Sequence, residues 1–168
     1  YEGEVLHNWS SGSEITECSI CIEKSVLAGR KIFVYAGNIG KAQAIAPFVE
    51  VMSKLDQLRD DIGFVFVGRG SEFKSLNKAI IDNNLGNVII FDEVQNKEIS
   101  GLYAQCDFGL VFLDPRHKTH NIPGKFISYM FNGLPVLACV NEGNDLFEMI
   151  KSERLGVALF GIEVDRVV

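Results

Sequence analysis

The sequence predicts an α/β domain: a doubly wound parallel sheet with helices on both faces. Three observations carry this. Five short runs are apolar throughout rather than alternating, as strands covered on both faces must be. The stretches between them space their apolar residues as helices do. Strand and helix alternate from Lys31 onward, the order that right-handed crossovers impose on a parallel sheet.

The elements follow in order. Residues 1–30 read as a linker or entry segment, with Val5-Leu-His-Asn-Trp9 ending an extended piece and Ser10-Ser-Gly-Ser13 a flexible turn. The span 14–29 reads as either helix or irregular chain. The domain proper is expected over 31–168. Its strands are Lys31-Ile-Phe-Val-Tyr-Ala36, Ile62-Gly-Phe-Val-Phe-Val67, Val88-Ile-Ile-Phe91, Phe108-Gly-Leu-Val-Phe-Leu113 and Pro135-Val-Leu-Ala-Cys-Val140. Ile45, Phe48, Val49, Met52 and Leu55 mark the first helix. Pro47 is tolerated only in a first turn, so that helix should start near 45–46. Phe73, Leu76, Ala79 and Ile80 mark the second, stopped by Gly86 and entered through Ser71 as a cap. Ile99, Leu102 and Tyr103 mark a third, capped by Asn96; Phe126, Tyr129 and Met130 a fourth, capped by Gly133; Leu146, Phe147 and Ile150 a fifth.

Composition narrows the function. The 168 residues are 47% hydrophobic, enough for one well-packed domain. The formal charge of −6 argues against a nucleic-acid backbone binder. No apolar run reaches the roughly 18–20 residues that span a bilayer, and no signal peptide is visible. The chain begins at Tyr1 and ends on Val167-Val168, which reads as a piece of a longer protein. Cys18, Cys21, Cys106 and Cys139 read as reduced thiols of a cytoplasmic protein. Cys18-Ser-Ile-Cys21 has metal or redox spacing but lacks a second Cys/His pair, and no strand leads into it.

In such sheets the ligand sits beyond the C-terminal ends of the strands. The polar, glycine-rich sequence is concentrated in the loops there. Gly37-Asn-Ile-Gly40-Lys41 follows the first strand: Gly37 and Gly40 would admit a phosphate close to the backbone, and Lys41 would add charge. The blander alternative is a tight turn with no ligand. Arg69, in Val67-Gly-Arg-Gly70, stands where an NAD site would carry an acid; it would suit an NADP phosphate instead. The loop Asp114-Pro-Arg-His-Lys-Thr-His-Asn-Ile-Pro-Gly-Lys125 is the strongest site. It gathers Arg116, His117, Lys118, His120 and Lys125 at a helix start inside an acidic domain. A helix N-terminus opened by Gly124 favours anions, above all phosphate. His117 and His120 have no carboxylate or Cys at ligand spacing, so sugar or phosphate is the better reading than zinc. Asn141-Glu-Gly-Asn-Asp145 offers either sugar recognition or a helix cap by Asn144 or Asp145.

Taken together, these residues resemble the C-terminal half of two-domain, B-type glycosyltransferases of family 4. The matching succession is Gly37-Asn-Ile-Gly-Lys41, Phe66-Val-Gly-Arg-Gly70, Val88-Ile-Ile-Phe-Asp-Glu-Val94, Ala104-Gln-Cys-Asp107, and Pro123-Gly-Lys through Gly133-Leu-Pro-Val-Leu-Ala138, ending in Gly156-Val-Ala-Leu159. The resemblance covers about residues 30–160. Ile122-Pro-Gly-Lys-Phe-Ile-Ser-Tyr129 is most similar to bacterial surface-polysaccharide enzymes, including N-acetyl-L-fucosamine-type transferases. It implies a Rossmann-like fold and a nucleotide-sugar donor, expected to be a UDP-sugar, bound as substrate with no cofactor and no metal. It implies an acceptor held by an N-terminal domain outside this chain, through which any membrane contact would run. Lys41 and Lys125 would face the diphosphate, with Gly40 and Gly124 giving backbone access. The family often places two Glu eight residues apart, the second on the ribose. By spacing this chain has His120 and Ser128 there, so either ribose is bound another way, which is the favoured expectation, or donor binding is weakened. A sugar-nucleotide epimerase half and a non-catalytic nucleotide-sugar-binding module are the competing functions.

Overall fold

The structure, a computed structural model, describes residues 16–41, 45–114 and 122–162. Six parallel strands form one sheet: β1 Lys31–Ala36, β2 Ile62–Val67, β3 Val88–Phe91, β4 Phe108–Phe112, β5 Val136–Val140 and β6 Gly156–Phe160. Their order is β3-β2-β1-β4-β5-β6. The order reverses between β1 and β4, which pair Phe33 with Phe108 and Val34 with Gly109. That is where doubly wound sheets open a crevice for ligand.

Both faces of the sheet are buried, as the unbroken apolar runs required. Ile32, Val34 and Ala36 of β1 join one core cluster, and Tyr35 joins the other. The helices are α1 Phe48–Leu58, α2 Phe73–Asp82, α3 Ile99–Tyr103, α4 Gly124–Phe131 and α5 Asp145–Ser152. Phe48, Val51, Met52 and Leu55 of α1 and Leu76 and Ile80 of α2 pack with Tyr35, Phe64, Phe66 and Phe112. Leu102 and Tyr103 of α3, Phe126 and Tyr129 of α4, and Leu146 and Ile150 of α5 cover the opposite face. Ile20, Ile22 and Leu27 pack into that second layer too. Gln105 fastens this segment, donating to the Ile20 carbonyl and accepting from the Ile22 N–H, both at 2.9 Å. Residues 1–15 lie outside the described residues.

The departures from expectation have local causes. α1 starts at Phe48 rather than 45–46, with Pro47 as its cap. The Phe48 and Val49 N–H groups bond three residues back, to Ile45 and Ala46, so a tight turn precedes the helix. α2 is capped at Glu72, not Ser71, because the Ile39 carbonyl from the β1 loop takes the Glu72 N–H at 2.9 Å. It ends before Asn84, which takes the left-handed φ of 50° expected of Gly86. Gln95, not Asn96, forms a capping box with Glu98 ahead of α3. Asn144 caps α5, its side chain accepting from the Leu146 N–H. β6 was not foreseen as a strand: as an edge it has one neighbour and leaves Val157 exposed, so it lacks a fully buried pattern. Among the described residues no helix is long and apolar enough to cross a membrane.

Cys139 is buried and Cys106 partly so, and burial pushes each thiol up to about 12. Cys18 and Cys21 are free thiols, and among the described residues no three His, Cys, Asp or Glu side chains cluster as metal ligands.

Candidate functional site

The site is built where β1, β2 and β4 end. The loop after β1 continues the β1–β2 ladder past the strands. Gly37 N–H donates to the Val67 carbonyl at 2.9 Å, and Ile39 N–H to the Arg69 carbonyl at 2.8 Å. Two backbones in this register leave no room for side chains between them. A Cβ on Gly68 would fall 1.9 Å from the Gly37 oxygen, and one on Gly70 2.2 Å from the Ile39 oxygen. Both residues have positive φ, at 149° and 155°. Val67-Gly-Arg-Gly70 is therefore the wall against which the Gly37–Gly40 loop is built.

On the other side, α4 is pinned to the sheet by Tyr129. Its ring lies on Gly109, where a Cβ would come within 2.4 Å of it. Its hydroxyl accepts from the Ala36 N–H at 3.2 Å, with the Val34 and Leu110 carbonyls as acceptors at 3.1 and 3.3 Å. One buried phenol thus ties α4 to both strands of the switch point. Pro123 precedes the first turn and offers no capping side chain. The first N–H groups of a helix have no partner within it, so this end of α4 carries partial positive charge.

Lys125, in that first turn, rises over the strand ends rather than out to solvent. Its Nζ donates to the Tyr35 hydroxyl at 2.5 Å and stands 3.8 Å from that ring's centroid. The Tyr35 hydroxyl donates in turn to the Asn38 carbonyl at 2.7 Å. Lys125 Cε lies 3.5 Å from where a Gly37 Cβ would stand, so the side chain runs along the glycine. Burial pulls the Lys125 amine down to about 7 and keeps the Tyr35 phenol protonated far above its ordinary range.

A cavity of about 430 Å³ opens beside this point. Gly37, Asn38, Gly68, Arg69 and Gly70 form one side, and Glu93, Val94, Asn96 and Ile99 the other. Arg69 pairs with Glu93 across it at 2.7 Å, both side chains more than half exposed.

The structure therefore brings Gly37 and Arg69 together on the cavity wall and lays Lys125 along Gly37 beside it. Gly40 is buried and Lys41 exposed at the far end of the same loop. Gly124 is exposed, with open space around its Cα. Ser128 lies one turn below Lys125, and its hydroxyl hydrogen-bonds with Tyr103. His120, with Arg116, His117 and Lys118, lies outside the described residues. Two participants were missed by the sequence reading. Tyr35 was absorbed into an apolar strand, although its hydroxyl makes it the one polar-tipped residue at that strand's ligand end. Glu93 was missed as a side chain: Phe91-Asp-Glu-Val94 reads in the sequence as a strand end or as backbone flanking a base, and the partner of its carboxylate comes from another loop.

A parallel sheet in the order 3-2-1-4-5-6, with glycine-rich loops at the ends of β1 and β2, defines a Rossmann-like domain. The chain belongs to the glycosyl transferases group 1 family, whose model matches residues 30–163. The probable glycosyltransferase WbjE of Pseudomonas aeruginosa is 23% identical over 156 residues, which are 90% of this chain and 38% of that protein. The 2-deoxystreptamine N-acetyl-D-glucosaminyltransferase of Niallia circulans is 26% identical over 133 residues, 78% of this chain and 33% of that one. The chain thus spans just over a third of the length of the first of these relatives and a third of the second.

Among solved structures, S. aureus TarM in complex with UDP superposes with a TM-score of 0.68 at 15% identity, over 96% of this chain and 31% of that one. Anabaena Alr3699/HepE in complex with UDP-glucose gives 0.67 at 16% identity, over 84% and 38%. The C-terminal domain of LpcC from Francisella tularensis gives 0.61 at 17% identity, over 82% and 71%. At these identities the likeness is one of fold.

Proposed function

We propose that this chain is the C-terminal, donor-binding domain of a two-domain glycosyltransferase and holds a UDP-sugar as its substrate. The observation that carries the reading is the meeting of Lys125, the start of α4, where Pro123 supplies no side-chain cap, and the Gly37 loop at the switch point. These groups offer positive charge and approachable backbone at one place, which is what a diphosphate requires. The cavity between the Gly68–Gly70 turn and Val94 adjoins it and suits the base and ribose. The UDP and UDP-glucose complexes of TarM and HepE support the choice of ligand.

In this reading the diphosphate's charge draws a proton onto Lys125, because a nearby anion favours the charged amine. The ammonium and the α4 N-terminus then stabilise the negative charge that grows on the leaving nucleotide. No cofactor is invoked; the cationic side chains carry the chemistry. The acceptor belongs to an N-terminal domain beyond residues 31–168, with 1–30 as the entry from it, and a polysaccharide or lipid-linked acceptor of bacterial surface-polysaccharide synthesis is the proposed class. The name of WbjE, a probable glycosyltransferase, agrees with the reaction. A cytoplasmic setting supplies the nucleotide sugar.

Calorimetric titration with UDP tests the assignment of the cation. Lys125→Ala is expected to weaken UDP binding more than Lys118→Ala does. Equal losses would refute the placement of the diphosphate at α4.

A further inference from the structure

We propose that Tyr35 is a positioning residue, which holds the Lys125 amine beside Gly37, at the switch point between β1 and β4, for an anionic ligand. The proposal rests on the donor-binding reading above and adds to it a residue that never touches the ligand itself.

The two side chains start on opposite faces of the sheet. Tyr35 packs in the layer of α1 and α2, whereas α4 packs in the layer of α3 and α5. They meet only because Lys125 passes over the end of β1 along Gly37, where no side chain blocks it. At the meeting point the Tyr35 hydroxyl is used twice, accepting from Lys125 Nζ and donating to the Asn38 carbonyl. It therefore links α4 to the Gly37–Gly40 loop through one oxygen.

Packing alone does not call for that hydroxyl. The rings that stack on Tyr35 in its layer are phenylalanines, Phe66 and Phe112, at 5.7 and 5.9 Å between ring centroids. Tyr35 itself is fully buried. A buried hydroxyl costs free energy unless it is bonded, and its two bonds both serve the site. The stacked rings fix where the oxygen stands, so it is a rigid anchor for a flexible lysine. An ammonium has three donors, and Tyr35 engages one. The remaining donors are held beside Gly37, a residue that itself lines the cavity.

Calorimetry with UDP and with uridine, which lacks phosphate, separates positioning from packing. The proteins are the unaltered chain, Tyr35→Phe, Lys125→Met and the double variant. Tyr35→Phe is expected to weaken UDP by about threefold to tenfold, as the loss of one hydrogen bond does, and to leave uridine unchanged. In the Lys125→Met background it should add nothing further. Unchanged or tighter UDP binding by Tyr35→Phe would overturn the proposal, as would equal losses for UDP and uridine. If the unaltered chain binds no UDP, the donor-binding reading falls and this inference with it; the other refutations leave that reading standing. A measurement on the unaltered chain guards against a variant that does not fold. With ¹³C-labelled tyrosine, the Tyr35 ring signals should shift with UDP and stay fixed with uridine, and signals unmoved by bound UDP would overturn the proposal.

Discussion

Replacing Lys125 by methionine separates what this residue costs the fold from what it offers a ligand. Methionine keeps an unbranched stem on the Tyr35 ring and removes the amine. In the folded chain burial lowers the amine from 10.5 to about 7. Below pH 7 the lysine is charged in both states, and the folded chain bears the whole cost of burying it. Between pH 7 and 10.5 the unfolded chain binds a proton that the folded chain does not, so stability rises with pH. Above 10.5 both states are neutral and the rise stops. The slope is about 1.4 kcal/mol per pH unit at its steepest, so the gain from pH 6.5 to 9 is about 2–3 kcal/mol. The Tyr35 oxygen loses one donor in the variant, which costs about 1 kcal/mol at every pH. Urea unfolding of both proteins at pH 6.5, 7.5, 8.2 and 9 measures the difference, and subtraction cancels groups common to both. The stability of the unaltered chain minus that of Lys125→Met should climb by about 2 kcal/mol or more across this range. A difference that stays flat with pH would show that the amine is not buried as described.

Two further substitutions probe the frame of the site. Tyr129→Phe removes the hydroxyl that joins α4 to β1 and β4; a loss of about 1–2 kcal/mol in urea unfolding is expected, with a folded spectrum retained. Gly68→Ala places a methyl group against the Gly37 carbonyl at a φ of 149°. It should lower stability by about 3 kcal/mol or more in the same assay, and a change under 1 kcal/mol would mean that the two loops are not in register.

The sheet was legible because five of its strands are continuous apolar runs, such as Ile62–Val67 within the sheet and Val88–Phe91 at its edge. β6 was not, since Gly156–Phe160 remains half open to solvent, more so than the other edge strand. Helix bodies were legible from their apolar spacing, and their ends less so. The Ile39 carbonyl displaces Ser71 as the cap of α2 from more than thirty positions away, a contact that no local pattern encodes. Of the glycines at 37, 68 and 70, only Gly37 announced a close approach of backbone, expected there for a phosphate. That two of them clear a path for the opposite loop, and the third for Lys125, could be read only once the loops were paired. Lys125 itself stood out as a cation at a helix start. Its Tyr35 anchor did not, because a tyrosine in an apolar run looks like core until its hydroxyl acquires a partner from the other face.

The central claim is that the switch point between β1 and β4, with the cavity beside it, takes a nucleoside diphosphate. Thermal unfolding of this chain, titrated in parallel with UDP, GDP and NADP, tests it most directly. A ligand at about 100 times its dissociation constant adds about 2.7 kcal/mol, a readily visible shift. Stabilisation by UDP in preference to NADP is the expected result. Stabilisation by NADP alone, or by none of the three, would contradict the account.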